Sequence, residues 1–290
     1  MKKNINSDFN RAMSAMFTVP TFKEIFKSGY SDYFVEKINK YRKSIGIRND
    51  TKIKNVVNKT YNYLSLNYRN EYIYKSIIAN KIFLEMHDLN NATLINEFRI
   101  GRSIADVVII NGTNTVYEIK TELDSPDKLK KQIEDYKKIS PKVYLVTHHT
   151  LINKYADIIN KSSVGLISLS QENNFIVVNE ALTDSNFLNN TVMLETLRKE
   201  EYSSIIQNYF GSIPQVSNIK FYRECQNLIQ QIEPEKFHEM MLKKLREREI
   251  EEMNLVQSNN VPFELKHICL CSNPNKIEYQ NLFNFLNLTI

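Results

Sequence analysis

The spacing of hydrophobic residues changes twice along the chain, dividing it into stretches at 1–69, 70–182 and 183–290. In the first, apolar positions return every three or four residues, as in 22–47 (FKEIFKSGYSDYFVEKINKYRKSIGI) and 52–68 (KIKNVVNKTYNYLSLNY). This spacing predicts amphipathic helices, broken at Gly29 and at the RND stretch 48–50. The middle stretch opens on one more helix, 70–86, with Asn70 as its N-cap. Short runs rich in Val, Ile, Tyr and Phe follow at 93–100, 103–112, 115–121, 142–148, 164–170 and 174–179, each the length of a strand. Helical patterns at 125–140 and 150–161 separate the third from the fourth and the fourth from the fifth, and Asn111-Gly112-Thr113-Asn114 supplies a tight turn between the second and third. Hairpin strands followed by strand–helix–strand–helix–strand imply an α/β fold, a mixed sheet flanked by helices. From 183 the helical period returns at 191–210, 218–232 and 234–253, the last with Pro234 in its first turn. The final thirty residues read as short and mixed.

Composition narrows this picture. Only 6 glycines and 7 prolines in 290 residues argue against a disordered or many-turned all-β chain. No apolar run reaches the length of a membrane span, and Met1-Lys-Lys is not followed by a leader-like stretch. Cys225, Cys269 and Cys271 form an odd set with no disulfide framework. These features together predict a cytoplasmic protein without a membrane partner. The net charge of +5 permits a polyanionic partner. The excess is uneven: residues 1–60 hold 13 Lys/Arg against 5 Asp/Glu, or +8. That segment reads equally as a nucleic-acid face and as a solvated helical surface. Its tyrosines (Tyr30, Tyr33, Tyr41, Tyr61, Tyr63, Tyr68) suit base stacking, although helix packing is their commoner use.

The informative chemistry lies in 104–120 (IADVVIINGTNTVYEIK). Asp106 stands inside one apolar strand, and Glu118 and Lys120 stand two apart on the strand across the turn. Period-two alternation puts Glu118 and Lys120 on one face and Ile119 on the other. Charges among Val and Ile need partners, because burying one alone is costly. Phosphodiester hydrolysis gives them a use. Asp106 and Glu118 are oxygen ligands of the kind Mg²⁺ or Mn²⁺ takes, with the Ile119 carbonyl as a further ligand. The ion polarises the phosphoryl group and acidifies a water, and Lys120 orients that water or offsets developing charge.

The D-x11-E-x-K pattern at a hairpin, followed by helix–strand–helix–strand, resembles the core of the PD-(D/E)XK nuclease superfamily over roughly residues 70–170. Ala105 stands where the family name has proline. The resemblance implies a restriction-endonuclease-like fold with helical N- and C-terminal segments around the 70–182 core. It also implies that Glu71, opening the helix before the sheet, adds an acidic metal ligand. Gln132 and Tyr136, one helical turn apart, resemble the Q-x3-Y element of the RecB-like branch, in which the glutamine completes the active site. The stretch 96–136 is also similar to a group of small bacterial nuclease-like proteins. The expected substrate is nucleic acid, DNA ahead of RNA, and a defence role against foreign nucleic acid is a context in which stand-alone members occur.

Other readings stay open at this point. An inactive nucleic-acid-binding module or a protein-interaction module on the same fold would keep the pattern without turnover, and the helical flanks leave room for a homodimer or a protein partner. Glu97 is a further acid on the strand before the trio; Arg99 and Arg102 suit phosphate contacts or a strand edge. The His148-His149 pair follows the fourth strand. His267, Cys269 and Cys271 have zinc-ligand types, but a single C-x-C with one histidine fits buried packing better. No phosphate-cradling glycine loop and no G-x-S-x-G is present, which disfavours ATP use and serine hydrolysis.

Overall fold

The computed structural model describes residues 2–248 and 250–290. The chain gathers into two compact units, Met1–Met86 with Ile250–Ile290, and His87–Glu249. This grouping differs from the division by sequence texture. The helix after Asn70 belongs with the N-terminal helices, and the C-terminal helices are shared between the units.

The first unit begins with helices α1 (Lys2–Met16), α2 (Val19–Ser28), α3 (Asp32–Ile45) and α4 (Ile53–Asn67). The breaks fall where the sequence placed them. Gly29 ends α2 at φ 74°, a conformation glycine adopts without a Cβ penalty. The Ser31 hydroxyl then caps α3 by accepting the Phe34 N–H. Most of the tyrosines are packed. Phe9 meets the edges of Tyr41 and Tyr63, and Tyr61 is buried. Helix α5 (Glu71–Ile77) follows, with Asn70 in the N-cap position but making no side-chain cap bond. In place of one regular helix to residue 86, α5 widens into a π-helical segment, Ile78–Leu84. The Asn80 amide explains the change. It donates to the Ser76 carbonyl at 2.8 Å, inserting a side chain into the i→i−4 ladder.

The second unit carries a six-stranded mixed sheet in sequential order: β1 (Thr93–Ile100), β2 (Ser103–Ile110), β3 (Asn114–Lys120), β4 (Lys142–His148), β5 (Gly165–Leu169) and β6 (Phe175–Asn179). The first three strands pair antiparallel, β3–β4 and β4–β5 pair parallel, and β6 returns antiparallel. Gly112, at φ 98°, makes the β2–β3 turn. The parallel crossovers carry α6 (Leu129–Tyr136) and α7 (Ile152–Ile159). Then come α8 (Asn190–Glu195), α9 (Lys199–Phe210), α10 (Asn218–Ile229) and α11 (Pro234–Arg246). The pattern at 191–210 is therefore two helices, divided where the Glu201 side chain accepts the Arg198 N–H and starts α9 afresh.

One continuous core joins the sheet to these helices, including Ile110, Val116 and Leu145 from the strands and Tyr136, Ile206 and Met241 from the helices. Burying each such Val, Ile or Leu contributes about 1.5–3 kcal/mol, which fixes the strands as a rigid platform. The chain then returns to the first unit through α12 (Met253–Gln257), α13 (Phe263–Ser272) and α14 (Lys276–Asn287), so the last thirty residues are chiefly helical. Their signal was present in the sequence: Asn275 and Glu278 form a capping box. No helix among the described residues is long and apolar enough to cross a membrane.

Asn114 anchors the start of β3. Its buried amide donates to the Ile139 carbonyl at 2.9 Å, and its Oδ1 meets His238 Nε2 of α11 at 3.0 Å. Replacement Asn114→Ala strands both partners without water. We expect a loss of about 2–3 kcal/mol, read as a Tm lower by roughly 5–10 °C in thermal melts.

Candidate active site

The β2–β3 ladder stops at Val107↔Tyr117, although both strands run on past it. The next rung would set Asp106 opposite Glu118. Instead the Asp106 Oδ2 accepts the Ile119 N–H at 2.7 Å, so a side chain takes the place of a backbone partner. The same position is irregular on the other side. β1 and β2 pair from Thr93↔Ile110 to Ile100↔Ser103 with a gap at Glu97 and Asp106. Glu97, exposed, has φ 50°, a left-handed conformation in mid-strand. Such a conformation costs a non-glycine residue about 1–3 kcal/mol. Across this point Ile95 and Phe98 both meet the core, as do Ala105 and Val108. The members of each pair are three positions apart, an odd number, so the alternation of faces slips in both strands at once. Asp106 sits at the slip, half-buried beside the neighbouring strand.

Glu118 and Lys120 share the helix-facing side of β3, as alternation required, and both are buried. Lys120 Nζ donates to Glu118 Oε1 at 2.7 Å and to Gln132 Oε1 at 3.0 Å. Tyr136 donates from its hydroxyl, with Glu118 Oε2 at 2.6 Å and the Ile104 carbonyl at 2.8 Å as acceptors. Gln132 Nε2 lies 3.3 Å from the same hydroxyl. Gln132 and Tyr136 thus act as a pair from one face of α6, one turn apart. Four of the sequence-selected residues (Asp106, Glu118, Lys120, Gln132) therefore meet at the carboxyl end of β3, and Ile119 contributes its N–H to Asp106. Tyr136, expected chiefly as a packing residue, is both buried and bonded to the acid.

Burial pushes the Glu118 carboxyl above its ordinary value of 4.5; the charge and hydrogen bond of Lys120, and hydrogen bonds from Tyr136 and Gln132, offset this only in part. Burial and the neighbouring Glu118 and Asp106 carboxylates likewise raise the Tyr136 phenol, which stays a donor. Two carboxylates and a backbone oxygen, with no thiolate or imidazole among them, are the ligand types that a hard cation takes. Among the described residues no group of three or more His, Cys, Asp or Glu is gathered at metal-binding separation.

The remaining candidates lie on other elements. Glu71 lies in the first unit, in the first turn of α5, ion-paired with Lys75 at 2.5 Å. His148 ends β4, with Nδ1 2.8 Å from Thr150 Oγ1 and 3.4 Å from Glu122 Oε1. His267, Cys269 and Cys271 lie on one helix, α13. Two residues apart on a helix, Cys269 and Cys271 point to nearly opposite sides and cannot converge on one ion. Burial holds the His267 imidazole down to about 3 and pushes the Cys269 thiol up to about 12, as packing residues. Sequence reasoning missed the supports of the site. Thr147 Oγ1 donates to the Lys120 carbonyl at 2.7 Å, and Ser103 Oγ to Asp135 Oδ2 at 2.8 Å, tying β2 to α6. Neither residue forms part of a spacing that singles it out in the chain.

The described molecule is a mixed α/β protein whose polar centre lies in its sheet-bearing unit. The chain belongs to the bacteriophage P4 protein cII family, whose model matches residues 65–268. That span takes in the whole sheet and its helices but leaves out α1 to α3, most of α4 and all of α14. A solved structure of a protein of unknown function from Silicibacter pomeroyi is 14% identical and covers 44% of this chain and 86% of its own. Its TM-score of 0.28 is too low to carry an argument about fold. No curated protein matches the chain.

The raised Glu118 pKa has a measurable sign. A carboxyl whose folded pKa exceeds its unfolded value contributes stability that is present below about 4.5 and lost as pH rises through the folded pKa. Glu118→Gln removes that titration. Denaturant melts in chelator between pH 4 and 8 should show wild type losing stability relative to the variant as pH rises, with the difference flat at high pH. A pH-independent difference would mean that Glu118 titrates normally.

Proposed function

We propose that the unit His87–Glu249 is a metal-dependent nuclease core that hydrolyses phosphodiester bonds in nucleic acid, DNA ahead of RNA. The convergence of Asp106, Glu118 and Lys120 where the β2–β3 ladder opens carries this reading. Buried charges are costly unless they serve a pairing or a reaction. Two carboxylates and a lysine at a sheet opening match the PD-(D/E)XK resemblance of the sequence. Asp106 and Glu118, with the Ile119 carbonyl, would hold Mg²⁺ or Mn²⁺. The bound ion supplies Lewis acidity toward the phosphoryl oxygen and acidifies a water. Lys120 offsets the negative charge that develops as water adds to phosphorus and the P–O bond to the leaving oxygen breaks. Gln132 and Tyr136 hold Lys120 and Glu118 in place; they position the reacting groups without contacting substrate. Glu71, in the other unit, is not needed for this assignment.

A second reading has one observation in its favour. Both Glu118 oxygens already accept hydrogen bonds, from Lys120 and Tyr136, as in a closed structural ion pair. On that reading the unit binds nucleic acid or a protein without turnover. The family name points to a phage context, with which a part in conflict over foreign nucleic acid agrees, and the free cysteines suit a cytoplasmic setting.

The test is cleavage of single- and double-stranded DNA and RNA with Mg²⁺, Mn²⁺ or EDTA. We expect metal-dependent cutting, abolished by EDTA and slowed about 10²–10³-fold in Lys120→Ala. Asp106→Ala should lose activity together with metal-dependent thermal stabilisation. No cutting by folded wild type under any metal favours the binding reading. Cutting that survives in Lys120→Ala places the chemistry elsewhere.

A further inference from the structure

We propose that the C-terminal half of α3, the loop after it and α4 form a grip for the phosphate backbone of nucleic acid, separate from the Asp106–Glu118–Lys120 centre. Residues 37–59 hold eight basic side chains (Lys37, Lys40, Arg42, Lys43, Arg48, Lys52, Lys54, Lys59) and one acid, Asp50. Six of the eight are exposed, and Lys37 and Arg42 are half-buried. The local excess is thus 8 − 1 = +7, more than the +5 of the whole chain.

Several lysines of the second unit have a carboxylate partner close in the chain. In the second unit Lys138 reaches Asp135 three residues away at 2.8 Å, and Lys236 and Lys244 likewise reach Glu239 and Glu247 at 2.9 and 2.8 Å. No carboxylate among the described residues pairs with any of the eight. The contacts they do make leave the charge unneutralised. Arg42 holds Asn49 Oδ1 at 2.5 Å and Lys59 holds the Gly46 carbonyl at 3.1 Å, which brings both to the loop between the helices. Lys37 and Lys40 lie over the rings of Tyr33 and Tyr41, at 4.9 and 5.3 Å from the centroids. Glu36 and Asp32 restrict the basic surface to the later turns of α3.

Unneutralised cations this close repel one another, and a polyanion relieves that repulsion while releasing its counterions. An anionic membrane is the other polyanion to weigh. Membrane-surface helices also present an apolar face to the acyl boundary. Here the apolar residues Phe34, Ile38, Val56 and Val57 are buried, and no large hydrophobic residue between 37 and 59 is exposed. The surface therefore fits nucleic acid, with exposed Tyr33 beside Lys37 able to take a base face. It lies outside residues 65–268, so it is an addition to the part that matches the family. It stands whether or not the second unit cleaves.

Fluorescence anisotropy of labelled single- and double-stranded DNA, in EDTA and across roughly 50–200 mM salt, tests the grip on the full chain. The variant replaces four exposed cations: Lys40→Gln, Lys43→Gln, Arg48→Gln and Lys54→Gln. We expect at least roughly tenfold weaker binding at the lowest salt and a slope of log K against log salt shallower by roughly 2–4. Replacing the three lysines by arginine should keep both. Unchanged affinity and slope in a glutamine variant with wild-type circular dichroism and melting would overturn the proposal. Binding lost in Lys120→Ala but kept in the glutamine variant would overturn it too, by placing the grip at the other centre. So would loss of binding to anionic vesicles with binding to DNA intact. Failure of the cleavage assay leaves these readings untouched, so the two proposals fail separately.

Discussion

The Asp106 carboxylate on the Ile119 N–H is the interaction on which the polar centre depends. A backbone donor inside a sheet must find a partner, and the cheapest is the carbonyl across the ladder. Here β2 gives β3 no backbone partner before Val107 and offers a side chain instead. The ladder is thereby interrupted without an orphaned donor, and a carboxylate stands where a backbone carbonyl would. Everything around the opening compensates for it. Thr147 secures the end of β3, Ser103 ties β2 to α6, and Asn114 fixes β3 at its far end.

The electrostatics follow from that arrangement. Glu118 has almost no contact with water, so its charge is stabilised by the Lys120 ammonium, the Tyr136 phenol and the Gln132 amide, and desolvation still dominates. A buried pair of this kind is weak as a source of stability, since well-packed apolar residues would serve as well or better. The basic stretch of the first unit shows the reverse: cations at the surface, cheaply solvated, with no carboxylate paired to them among the described residues.

The strands and the trio were legible because they rest on local rules. Alternation fixed the shared face of Glu118 and Lys120, the glycine turn fixed which strands are neighbours, and helical spacing fixed the pairing of Gln132 with Tyr136. What escaped depends on contacts distant in sequence. Nothing local announces that the ladder opens at Asp106, that Glu97 turns left-handed opposite it, or that Thr147 buttresses Lys120. The π-helical segment escaped for a related reason: hydrophobic spacing cannot say that the Asn80 amide will take the Ser76 carbonyl. The helices at the C-terminus are a different case. The capping box at Asn275 was readable, and the short apolar runs between polar residues hid it.

The division of the chain has a consequence for its synthesis. The first unit is built from two ends of the sequence, and its helices α2 and α14 pack together although the whole sheet-bearing unit lies between them in the chain. The sheet-bearing unit is uninterrupted and is complete once residue 249 has left the ribosome. Domains fold as units in the order they emerge. The N-terminal helices must therefore wait, with part of their apolar surface uncovered, until α13 and α14 arrive. By then the inserted unit has folded, so the late helices close their loop around a compact body and not around a long flexible chain, which lowers the entropy lost in closure.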